Sequence, residues 1–139
     1  MTREQLLRFV RPIEHAVLGT VTADERPEAA VVGIVVTEEL ELFFDTSNVS
    51  RKCVNLRANP HVAFVIGWDD SQTVQYEGVA DEPAGAELKR LKQLYFARFK
   101  EGPTREQWPD ITYFRVRPRW ARYSDFRGVE PKIVELTLG

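Results

Sequence analysis

Short apolar runs rich in β-branched and aromatic residues dominate this chain from His15 onward, and polar, turn-forming breaks separate them. Such runs suit a pleated, half-buried surface, and the breaks mark where it reverses. AVLGTVT, the turn-like ADERP and EAAVVGIVV make a hairpin signal, and TEEL turns the chain again into ELFFDT. The pattern predicts a three-strand antiparallel meander. HVAFVIGW and QTVQYEGVADE predict two further strands on either side of residues 67–71, ITYFRVRPRWARYSDF a long late strand, and KIVELTL a terminal edge strand.

Elsewhere the apolar spacing is helical. Over residues 2–11, Thr2 caps, Gln5 sits three residues on as in a capping box, and Leu6, Phe9 and Val10 share a face; Pro12 ends the helix. A second helix, residues 50–58, opens with Ser50, Arg51 and Lys52 and closes at Asn59-Pro60, because proline disfavours the α conformation in the residue before it. The longest, residues 83–100, carries Leu88, Leu91, Leu94, Tyr95 and Phe99 on one stripe with Lys89, Arg90, Lys92 and Arg98 opposite, as expected of a helix packed on a barrel. GPTREQWPD reads as loop or a short turn. About six or seven mostly antiparallel strands with few helices predict a mainly β architecture, a small closed or nearly closed β-barrel with flanking helices. Residues 1–139 read as a single domain.

Composition narrows the partners. A net charge of -2 exerts no global pull toward nucleic acid or an anionic membrane, so any anion site is local. The alternating Arg115, Arg117, Arg119 and Arg122 are most economically a strand's solvent face rather than an RNA surface. No stretch approaches the ~18 apolar residues of a membrane span, and MTREQLLRFV is too short in apolar run for a signal peptide, so a cytoplasmic location is expected. Cys53 is the single cysteine, and with His15 and His61 the only histidines there is no cluster at metal-ligand spacing.

Candidates for chemistry are few. Neither histidine stands near a recognisable nucleophile, Cys53 reads as a small core residue, and the carboxylates are scattered. A bound cofactor would have to carry any difficult step. The helix opening at Ser50 is the stronger signal: its first turn offers unpaired N–H groups and a positive dipole end, and cations there sit at the wrong end of the dipole unless an anion joins them. Thr46, Ser47, Asn48 and Ser50 crowd the approach. Trp120, between Arg119 and Arg122, either covers a conjugated ring or belongs to the core.

FFDT followed by SRKCVNLRANPHVAFVI, together with TVQYEGVADE and the Trp-bearing TYFRVRPRWARYSDFR, resembles the pyridoxamine 5'-phosphate oxidase-like flavoproteins of FMN-binding split-barrel fold. The resemblance implies that Arg51 and Lys52 bind the phosphate of FMN with Ser50 and Thr46 assisting. It places Asp45 where the family often has an aromatic residue, lays Ala30, Val31 and Val32 along the isoalloxazine ring, and brings Thr73 or Gln75 from the next sheet region. It also implies a homodimer with the sites at the subunit interface, Trp120 coming from the other subunit. Arg122 matches a substrate-holding arginine, whereas Ser124 stands where the vitamin B6 oxidases carry a histidine. An oxidoreductase acting on an unidentified small molecule is therefore expected, with the deazaflavin F420 as alternative cofactor and a non-catalytic flavin or haem binder as alternative role.

Overall fold

The computed structural model describes residues 1–139. Its elements run α1 (Arg3–Val10), β1 (His15–Val21), β2 (Pro27–Gly33), β3 (Val35–Val36), β4 (Leu42–Ser47), α2 (Arg51–Ala58), β5 (His61–Ile66), a 3-10 turn at Asp69–Ser71, β6 (Gln72–Asp81), α3 (Gly85–Arg98), α4 (Gly102–Arg105), β7 (Ile111–Asp125) and β8 (Lys132–Thr137). Thr2 caps α1, with both halves of the capping box formed. The strands join one sheet in the order β2-β1-β5-β6-β7-β4-β3, and β8 pairs with β7. Every pairing is antiparallel.

EAAVVGIVV forms two strands rather than the expected one. β2 pairs with β1, β3 pairs with β4, and only Ile34 lies between them, its N–H donating to the Glu14 carbonyl at 2.8 Å. One bent segment thus bonds to both ends of the sheet and closes a split barrel. Its interior is filled by alternate residues: Ala16 and Leu18 from β1, Val62, Phe64 and Ile66 from β5, Val74 and Tyr76 from β6, and Phe114 and Val116 from β7. Burying each large side chain contributes about 1.5–3 kcal/mol. Tyr76, the one phenol deep in that interior, donates its hydroxyl to the Leu40 carbonyl at 2.8 Å.

β7 inserts one extra residue against β6: Glu77 faces Trp120, but the adjacent Gly78 faces Pro118, which leaves Arg119 unopposed. The bulge switches the parity of the strand, so that Phe114 and Val116 before it and Ala121 after it all reach the core. Gly78 makes it possible, because a Cβ there would lie 2.5 Å from the Arg117 carbonyl oxygen.

The stripe read for the long helix needs correction. Leu91 and Tyr95 are buried with Val35, Phe43 and Tyr113 in a second, smaller core, but Leu94 is exposed. Nor are Lys92 and Arg98 solvated. Lys92 pairs with Glu106 at 2.9 Å and lies 4.7 Å over the Tyr113 ring, while Arg98 donates to the carbonyls of Ile13 and Ile34 at 3.0 and 3.3 Å. The stretch read as loop contains α4. Arg115 also leaves the solvent face assigned to it: it is buried and held by Asp81 at 3.0 Å and Glu87 at 3.1 Å. Charge is tolerated there because the carboxylates replace the lost water.

Gly78→Ala is expected to lower stability by about 1–3 kcal/mol, since the obstructing atom belongs to the backbone. Urea unfolding at constant m-value measures this, and an unchanged midpoint would contradict the fit described for the bulge.

Candidate functional site

α2 begins where β4 runs out of sheet partners. Ser47 donates its hydroxyl to Asp110 at 2.6 Å and the Asn48 N–H donates to the Asp110 carbonyl at 2.7 Å, which pins the connecting loop. Ser50 then caps the helix, its Oγ accepting from the Cys53 N–H at 3.2 Å and lying 2.9 Å from Thr46 Oγ1. The first turn contains no acidic residue. The N–H groups of Arg51 and Lys52 have no intrahelical acceptor, so two cations and two free donors meet at one end of the helix.

Four residues on from Arg51, on the same helix face, is Asn55. It is buried, and its Nδ2 donates to Thr20 Oγ1 at 3.0 Å on β1 and to Glu28 Oε1 at 2.8 Å on β2. The other oxygen of Glu28 pairs with Arg51. Arg51 first, and then Asn55, hold the Glu28 carboxyl below the usual carboxylate range. Lys52 makes no ion pair. Together these side chains border a cleft of about 220 Å³ lined by Leu18, Thr20, Glu28, Ala29, Ala30, Arg51 and Lys52. A larger groove of about 710 Å³ shares Thr20, Glu28 and Ala29 with it and continues across Gly19, Ala63 and Gly78 to Glu77 and Arg119.

The groove follows from register. Ala29, Gly19, Ala63, Glu77 and Trp120 lie side by side on five successive strands, a row whose first three members are small. Beside it runs Val31, Val17, Val65, Gln75, Arg122 and Glu135. Both rows face outward, and Val31 is 63% exposed. On β2, β1 and β5 this outer wall is apolar, a surface suited to a flat ring or to another protein.

Of the residues expected from the sequence, the structure gathers Ala30, Arg51 and Lys52 on the small cleft, with Thr46 and Ser50 bonded behind them. Val31, Gln75, Trp120 and Arg122 lie on the outer rows. Val32 is buried in the core and offers only its backbone. Thr73 Oγ1 is buried without a partner. Asp45 stands apart, because the alternation of β4 turns it to the face opposite Thr46; it accepts from Arg105 at 2.8 Å and from the Tyr95 hydroxyl at 3.2 Å. Arg122 pairs with Glu135 and lies 5.5 Å over the Trp120 ring. Cys53 is fully buried, and desolvation pushes its thiol up, away from reactivity. Reading the sequence missed Thr20, Glu28 and Asn55. The four-residue step from Arg51 to Asn55 was a usable signal for the last.

The match to the family described as pyridoxamine 5'-phosphate oxidase spans residues 2–125. The pyridoxine/pyridoxamine 5'-phosphate oxidase of Burkholderia vietnamiensis is 36% identical over 81 residues, which are 58% of this chain and 36% of that protein. The chain thus matches only about a third of that relative's length. Among solved structures, a haem-binding protein from Mycobacterium smegmatis superposes with a TM-score of 0.83 at 18% identity, over 99% of this chain and 58% of the other. The haem storage protein HutZ from Vibrio cholerae gives 0.74 at 22%, over 84% and 89%. At these identities the two structures speak for the fold alone, whereas the sequence match covers nearly the whole barrel: the chain belongs to the pyridoxamine 5'-phosphate oxidase family.

Proposed function

We propose that this protein is an FMN-dependent oxidoreductase acting on a small molecule, assembled as a homodimer across its apolar outer wall. The observation that carries the reading is the pair Arg51 and Lys52 in the first turn of α2, bordering a cleft that shares Thr20, Glu28 and Ala29 with the groove. The donor set fits the group. Two cations and free N–H groups suit a phosphate, and the small row of Ala29, Gly19 and Ala63 lets a flat ring approach the sheet closely. Arg51 and Lys52 would hold the phosphate, with Ser50 and Thr46 fixing the turn that presents them. The backbone of Ala30, Val31 and Val32 would lie along the ring edge, and Thr73, whose hydroxyl lacks a partner, and Gln75 would supply polar contacts. When bound, FMN supplies the redox chemistry, and the protein's part is to bind, orient and exclude water. The same cations suit F420, and titration with each cofactor separates the two.

A second reading, haem binding, is the role named for the two structural neighbours, and His15 offers an imidazole for it. That imidazole borders a separate cleft of about 700 Å³ with Trp68, Arg8 and Gln72. A Soret band on adding haem, abolished in His15→Ala, would support it.

No helix is long and apolar enough to cross a membrane. A second copy covering about 800 Å² of each subunit would be of ordinary size for a stable dimer.

Replacing both Arg51 and Lys52 by alanine is expected to weaken FMN binding about a hundredfold or more, since two charge-assisted contacts are lost. Stability should change by no more than about 1 kcal/mol, because the Arg51 side chain is 78% exposed. Fluorescence titration beside thermal unfolding checks both, and unchanged affinity would refute the assignment. Val31→Glu with Val65→Glu is expected to yield monomers in light scattering and to weaken FMN binding in parallel. A dimer that survives this change would place the interface elsewhere.

A further inference from the structure

We propose that Glu28 is an internal counter-anion of the α2 cleft, which a bound phosphate must displace or protonate, so that this one carboxylate sets phosphate affinity and ties it to pH. The proposal rests on the reading of this cleft as a phosphate site.

The carboxylate end of the pair is held in place, although the Arg51 side chain is open to solvent. The Glu28 side chain is only 19% exposed, and one of its oxygens is fixed by the buried amide of Asn55 at 2.8 Å while the other reaches Arg51. Arg51 and Lys52 against Glu28 leave the cleft one net positive charge. A phosphate monoester carries about 1.5 to 2 negative charges near neutral pH, more than that surplus offsets. Brought to the same guanidinium, the two anions cannot both stay fully ionised and close without mutual cost.

The surrounding groups do not relieve that cost. On α2 the cations are Arg51 and Lys52. The nearby Arg26, in the turn before β2, is already paired with Asp24 at 3.1 Å. Across the adjoining groove stand His61, Glu77 and Arg119, the last two of opposite charge and offsetting each other. Arg51 and Asn55 keep Glu28 ionised through the neutral range in the free protein. The arriving phosphate therefore raises the Glu28 pKa. A group whose pKa rises on binding favours the complex at lower pH, so affinity falls as pH rises through the range where the bound form loses that proton.

FMN and riboflavin are titrated into wild type and Glu28→Gln from about pH 5 to about pH 8, spanning the phosphate's own second ionisation near ~6. Thermal unfolding confirms that the variant is folded. Glutamine keeps the shape and the Asn55 contact but removes the charge. The expected result is FMN binding about tenfold tighter in the variant at the alkaline end, where one unit of pKa shift is a tenfold effect. The gap should narrow toward the acid end, and riboflavin affinity should be the same in both. Equal or weaker FMN binding by Glu28→Gln, with wild type still preferring FMN to riboflavin, would overturn the role of Glu28 and leave the phosphate site standing. Wild type that binds FMN no better than riboflavin at any pH would overturn both.

Discussion

The structure depends on one bent segment, residues 27–36. An open sheet of this length would leave two edges of unpaired N–H and C=O groups, a cost in folding and a template for aggregation. Here the same ten or so residues satisfy β1 on one side of Ile34 and β4 on the other, so both edges are consumed by one strand. The barrel interior then has a fixed volume, which Phe44, Phe64, Tyr76 and Phe114 fill with ring contacts at 5.8 to 6.3 Å. The bulge at Arg119 is a consequence of that closure. A fifteen-residue strand that pairs with β4, β6 and β8 in turn has to bend, and it bends where Gly78 leaves room.

Closure also determines where the candidate site lies. α2 packs on β1, β2 reaches it through Glu28, and Asn55 ties the helix to both strands at once. A buried amide is worth keeping only when its bonds are made, so the helix cannot rotate or slide without leaving Asn55 or Thr20 unsatisfied. The orientation of Arg51 and Lys52 is thus inherited from the core rather than from the loop that precedes them. That is the condition under which two flexible cations form a site rather than a patch of charge.

Much of the fold was legible in the sequence because its signals are local. The capping box at Thr2 and Gln5, the Asn59-Pro60 stop and the alternation in HVAFVI act within a few residues and survive folding unchanged. What escaped depends on distant partners. Nothing in EAAVVGIVV announces that Ile34 will turn from one neighbour to another, and Arg115 looks like a surface cation until Asp81 and Glu87 arrive from other elements. The candidate site divides in the same way. Ser50, Arg51 and Lys52 are adjacent in the chain and were visible; Glu28 is more than twenty residues away and enters the cleft only because β2 packs beside α2. Asp45 illustrates the converse. Its neighbour Thr46 reaches the helix cap, but strand alternation sends Asp45 the other way, to Arg105.

Strand spacing bears on how such a site would be completed. From Ala29 to Trp120 the outer row crosses four strand-to-strand steps, and at about 4.8 Å per step that is roughly 19 Å along the wall. The wall is convex, so outward side chains at its two ends diverge rather than converge. A ring lying on β2 with its phosphate at α2 would meet Ala29, Val31 and backbone first on its own subunit, and an indole at Trp120 would reach it from a second copy packed against the same face. In that arrangement the apolar rows and the phosphate cleft are one surface. Association would remove water from the groove and bring Trp120 to the ring, and the dimer would be a condition of tight cofactor binding rather than an addition to it.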